Sequence, residues 1–202
     1  MTDGEPSTSS NQIITSGFAV VLSTILNLTF AFLIKLTTAR TLSTTGYGQI
    51  IIGISTLTLL KNIVLLGVDQ SVARFLPRKS EIGWRRGVVV SAFQIVVPFS
   101  ILVGVLVAFG NDIIATSVFR DPNVGSIISI FGIAMIFDII RLLTISVTQG
   151  LERTRPKIVL DSCHPLIRLG CVITALVLGY GAIGVAFAFL ISNVAVAIAG
   201  II

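Results

Sequence analysis

Six long apolar runs, separated by short polar stretches, set the pattern of this chain: Ile13 to Leu36, Gly48 to Val68, Val88 to Phe109, Ile127 to Thr148, Ile158 to Gly179 and Ala182 to Ile202. A helix needs roughly 20 mostly apolar residues to cross a hydrocarbon core about 30 Å thick. Each run meets that length, so the pattern predicts an all-α membrane protein, a bundle of about six transmembrane helices over residues 13–202. The connections are short, the longest lying around Phe75 to Gly87 and Gly110 to Ser126, and no soluble domain fits between the spans. The opening stretch MTDGEPSTSSNQ has no Lys or Arg and reads as a disordered cytoplasmic tail over residues 1–12. It lacks the basic start of a cleavable signal, and the first apolar run is too long for a signal core, so the first span is expected to be retained.

Polar residues inside the runs recur at helical spacing. At about 100° per residue, Ser55, Thr58, Lys61, Asn62 and Asp69 share one side of the second span. Lys157, Asp161, His164, Arg168 and Cys171 make one stripe on the fifth, and Asp138, Arg141, Thr148 and Gln149 another on the fourth. Ser16, Ser23, Asn27 and Thr38, flanked by Lys35, do the same on the first. The third and sixth spans are almost wholly apolar and are expected to face lipid more. Lys61, Asp138, Arg141 and Arg168 fall near the middle of their runs, where a charged side chain costs about 2.5 to 3.5 kcal/mol and usually faces a cavity or a partner.

Two readings of these charges stand side by side. In one, the polar sides of the first, second, fourth and fifth spans enclose a water-filled cavity. In the other, Asp138 pairs with Arg141 or Arg168, and Asp69 with Arg74, to hold helices together. Lys61, Arg141 and Arg168 against Asp138 leave an excess of positive charge, which suits a phosphate-bearing ligand. The candidate substrate-binding residues are therefore Lys61, Arg141, Arg168, Asn27, Asn62, Asp138, Asp161 and His164. Pro98 and Pro165 are expected to kink the third and fifth spans.

Composition enters only to close off alternatives. The 202 residues are 54% hydrophobic and 11% charged, far from the balance of a soluble domain. The net charge of +5 could suggest nucleic acid, but the basic residues alternate by loop. Arg74, Arg78, Lys79, Arg85 and Arg86 lie in the second connection and Arg153, Arg155 and Lys157 in the fourth, while the opposite loops hold only Arg40 and Arg120. Such alternation places the amino terminus and both basic loops in the cytoplasm, with attraction to anionic headgroups as a secondary effect, and needs no nucleic-acid partner. Cys163 and Cys171 are eight positions apart, about 12 Å along one helix, beyond disulfide reach, and read as small core residues. One histidine and two such cysteines assemble no metal site, and His164 with Asp161 reads as a local hydrogen bond. No cofactor is expected, and without a nucleophile motif or phosphate-binding loop neither is an enzyme.

Specific stretches carry a family resemblance. ARTLSTTGYGQIIIGISTLTLLKNIVLLGVDQSVARFLPR resembles the opening of the polysaccharide-export flippases of the multidrug/oligosaccharidyl-lipid/polysaccharide superfamily, with Arg40 before a turn ending in Tyr47 and Gly48, and Gly67 before a basic exit at Arg74 and Phe75. SVFRDPNVGSII around Phe119 and Pro122 is similar to the outer loop of that family, and QGLERTRPKIV from Gln149 and Gly150 to its basic loop before the fifth span. The resemblance implies one lobe of a two-lobed fold that flips a polyprenyl-linked, phosphate-bearing oligosaccharide across the cytoplasmic membrane by alternating access. Family members have twelve or more spans, and this sequence stops inside an apolar run at Ile201 and Ile202, so it is expected to be an amino-terminal lobe that needs a second lobe or a homodimer partner. A cation-coupled multidrug exporter of the same superfamily and a non-transporting scaffold for polysaccharide assembly are the alternatives.

Overall fold

A computed structural model of the protein describes the backbone of residues 7–79, 81–151 and 154–201, and the side chains of residues 21–79, 81–151 and 163–199. The described residues are helical throughout, without strands. The helices are α1 (Ser7–Thr41), α2 (Thr44–Leu65), α3 (Val68–Phe75), α4 (Ile82–Phe109), α5 (Asn111–Ile114), α6 (Gly125–Gly150), α7 (Thr154–Val177) and α8 (Gly181–Ile201). Five of them, α1, α2, α4, α6 and α8, are long and apolar enough to cross a membrane. The remaining one, the predicted fifth span, is α7, a helix of 24 residues whose described part, Cys163–Val177, is a shorter apolar helix. The protein is a multi-pass membrane bundle. Helix α1 begins at Ser7.

Local chemistry fixes the breaks. Ser43 caps α2 by accepting a hydrogen bond from the Gly46 amide at 3.2 Å, which satisfies one of the free N–H groups of the first turn. At the other end Leu66 and Gly67 both turn left-handed, with φ of 43° and 79°. Glycine bears such a φ without steric cost, and the Leu66 amide closes the helix onto the Asn62 carbonyl at 3.1 Å. The predicted second span therefore ends at Leu65. Asp69 belongs to α3, on a separate axis from Ser55, Thr58 and Lys61, and Lys61 lies one turn before the end of its helix rather than at its middle.

Both internal prolines are carried inside continuous helices, Pro98 in α4 and Pro165 in α7. On the far side, Asp121 Oδ1 accepts the Asn123 amide at 3.0 Å and Oδ2 accepts Gln49 Nε2 at 3.3 Å. The Asn123 amide first, and Gln49 second, hold the Asp121 carboxyl below the usual carboxylate range.

Helix α6 is the centre of the bundle and packs against α2, α3, α4, α7 and α8. Ile127, Ile128, Phe131, Met135, Ile139 and Leu143 along it are fully enclosed. Lipid tails are as apolar as leucine, so close packing rather than the hydrophobic effect joins the spans. Gly104 of α4 and Gly132 of α6 show how: a Cβ on Gly104 would stand 2.8 Å from the Ile136 side chain and 3.0 Å from the Gly132 carbonyl, so a larger residue would push the helices apart.

The expected order of lipid exposure is reversed at two spans. Half of the apolar stretch of α8 is buried, against 11% for that of α1. The sixth span is interior because it bears Ser192 and Asn193, whose side chains are sealed against α6 and α7. The first span packs chiefly on α7 and presents Leu28 and Phe32 outward.

Candidate functional site

Position 138 lies in mid-α6 and faces inward because it continues the enclosed row of Phe131 and Met135 by one turn. An aspartate there must be partnered. Its Oδ2 meets Lys61 Nζ from α2 at 3.2 Å, and its Oδ1 accepts Arg141 Nη2 at 2.8 Å and Nε at 3.1 Å. Arg141 reaches back one turn along the same helix, so the triad is built from a cross-helix bond and a local one. Asp138 is sealed, with 5% of its side chain accessible, while Lys61 keeps 21% and Arg141 12%. Two cations thus share one carboxylate at a point where they still meet the surface of the lobe.

One turn up α6 is a second cluster. The Ala134 carbonyl accepts Asn193 Nδ2 from α8 at 3.1 Å, which fixes the orientation of the amide. Asn193 Oδ1 is then turned toward α7, where it accepts Arg168 Nη2 at 2.7 Å. Arg168 Nε donates to Ser192 Oγ at 3.3 Å, and the guanidinium carbon stands 4.3 Å from the centre of the Phe189 ring. That ring is edge-on to Phe131, with centroids 5.4 Å apart. His164 Nε2 is 3.0 Å from Asn193 Oδ1 and 2.9 Å from Arg168 Nη2. One ring nitrogen cannot both donate to the amide oxygen and accept from the guanidinium, so its tautomer chooses between them. The direct contacts of Arg168 are with neutral groups, and the Asp138 carboxylate attracts it from beyond ion-pair distance.

Of the predicted site residues, Lys61, Asp138 and Arg141 come together, and Arg168 and His164 come together beside them. Asn27 is apart: its amide donates to the Ser23 carbonyl of its own helix at 2.9 Å. Asn62 is exposed beside the end of α2. The Asp161 and Ser16 side chains lie outside the described residues. Cys163, read as a core residue, is exposed, and Cys171 is partly covered. Asp69 and Arg74 form no ion pair with each other, but line one polar cavity of about 330 Å³ with Gln70, Ser146 and Gln149. Ser192 and Asn193 were not predicted. The signal was present, because they are the polar pair in an otherwise apolar α8.

Charged groups held at this depth by fixed donors and acceptors can bind an anion or relay a charge; they form no metal-ligand cluster among the described residues. Residues 13–202 match the model of a family described as polysaccharide biosynthesis protein. No curated protein and no solved structure matches the chain.

Proposed function

The chain belongs to the polysaccharide biosynthesis protein family, that of polysaccharide and lipid-linked oligosaccharide flippases, and from that membership we propose that it is one lobe of such a flippase. It moves a polyprenyl-linked, phosphate-bearing oligosaccharide across the cytoplasmic membrane by alternating access, with its amino terminus in the cytoplasm, and catalyses no covalent step. A second lobe or a second copy faces it across the path. The observation that carries this reading is the arrangement of Lys61, Arg141 and Arg168, three intramembrane cations served by one carboxylate. Arg168 in particular has its guanidinium ordered by neutral partners with no carboxylate in direct contact, a state suited to a phosphate or an acidic sugar.

The same positive excess disfavours a carrier of organic cations. The use of both Asp138 oxygens favours, for the triad alone, a second reading in which it ties α2 to α6 and touches no substrate. Single replacements Lys61→Gln, Arg141→Gln and Arg168→Gln, measured in cells whose glycan export depends on this gene, separate the readings. Export should fall at unchanged membrane abundance, most for Arg168→Gln. Full export in all three variants would overturn the carrier assignment, and a loss confined to protein abundance for Lys61 and Arg141 would make the triad structural.

A further inference from the structure

The basic end of the bundle, where α3 turns into α4, has a shape and charge that transport does not use. Helix α3 is two-faced. Asp69, Gln70, Ala73 and Arg74 line the polar cavity against α6, while Val68, Val72 and Phe75 line an apolar one against α4. That apolar cavity is about 460 Å³ and is walled on the α4 side by Trp84, Val88 and Ile95. Its size is that of a small-ligand pocket. It opens sideways, since Phe75, Trp84 and Ile95 remain exposed.

Cations sit on its rim. The Arg78 guanidinium lies 4.4 Å over the Phe75 ring and the Lys79 ammonium 4.9 Å over the Trp84 ring. Trp84 Nε1 donates to the Phe75 carbonyl at 3.5 Å, and Arg85 Nε donates to the Lys79 carbonyl at 3.1 Å. From Leu76 to Ile95 the chain has four cations, Arg78, Lys79, Arg85 and Arg86, against the single carboxylate of Glu81. Neither Glu81 nor any other described carboxylate pairs with them. The two aromatic rings therefore belong at once to an apolar wall and to a positively charged edge, as residues at a membrane–water boundary do.

We infer that this cavity is a binding site for one anionic phospholipid, an acyl chain lying between α3 and α4 and the phosphate resting on Arg78, Lys79 and Arg85. A lateral opening, an apolar interior and a basic lip match the two ends of such a lipid, and juxtamembrane cations draw anionic headgroups. The site stands whether or not the protein is a carrier.

The chain has one tryptophan, Trp84, so its fluorescence reports on this cavity directly. The full chain is reconstituted in phosphatidylcholine with a small fraction of phosphatidylglycerol, and the acyl chains of one or the other lipid are brominated. Brominated phosphatidylglycerol should quench Trp84 well beyond its mole fraction, and brominated phosphatidylcholine should not. Arg78→Gln with Lys79→Gln should weaken the preference about fivefold for each cation removed. Gly87→Leu places its side chain in open space inside the cavity and should abolish the excess quenching. Free glycerol phosphate should not displace the lipid. Equal quenching by the two lipids would overturn the site. So would unchanged selectivity in the charge variant, and selectivity that survives Gly87→Leu would reduce it to surface attraction.

Discussion

Lys61 and Arg141 on one side, and Arg168 on the other, are cations in the same apolar bundle kept in opposite company. The first two converge on the carboxylate of Asp138, whereas Arg168 rests on an amide, a hydroxyl, a histidine and an aromatic face. The difference is one of what remains once the bonds are made. One carboxylate between two cations leaves the triad a single excess positive charge and binds it into the scaffold. Arg168 has its geometry fixed by neutral groups and feels the Asp138 carboxylate only from beyond ion-pair distance, so the triad should govern stability more and Arg168 function more.

The largest break in this comparison should come from Asp138→Ala. Two partly buried cations would lose their counter-charge, and the bundle should lose about 3 kcal/mol in a detergent unfolding assay. Replacing all three together by Lys61→Met, Asp138→Leu and Arg141→Met should restore most of that loss, since no charge is then left unpaired. If the single change were as mild as those below, the triad would not be the structural member. Next, Asn193→Leu removes the amide between the Ala134 carbonyl and Arg168 and should cost about 1 to 2 kcal/mol, the scale of interhelical hydrogen bonds in membranes.

Arg168→Gln should cost less still, under about 1 kcal/mol, because it removes a charge that has no carboxylate in direct contact, and a glutamine amide can take up part of its hydrogen bonding. Export should nevertheless fall at least tenfold, and a larger unfolding shift than for Asn193→Leu would contradict the assignment. The smallest effect belongs to Asp121, which is a reference for both clusters because it is outside the spans. Its folded carboxyl is held below the usual carboxylate range, so its contribution is present above the unfolded value of 3.8 and is lost as pH falls through the folded one. The difference in thermal midpoint between the wild type and Asp121→Ala should therefore be visible at neutral pH and vanish in strong acid.

Ionisable residues in apolar runs were legible because nothing else in such a run is so costly, and Lys61, Asp138, Arg141, Arg168 and His164 were all found this way. Their partition into two clusters was not legible, since periodicity places residues on a side of one helix and says nothing of which helix lies opposite. Ser192 and Asn193 illustrate the other blind spot. An amide in a strongly apolar span lowers hydropathy little, yet it has both donors and an acceptor to satisfy, and that need draws α8 inward. The break at Leu66 was hidden because both residues around it are compatible with an apolar run, and only Gly67 followed by Asp69 hinted that the chain changes direction.

Helix α6 takes part in both clusters: its Asp138 carboxylate meets Lys61 and Arg141, and its Ala134 carbonyl accepts Asn193. Mechanically it is an axle. Rotation of α6 by even one residue would pull Lys61 and Asn193 with it, whereas α1, packed chiefly on α7, makes no ion pair among the described residues. A spin label on α1 should therefore show greater motion than one on α8.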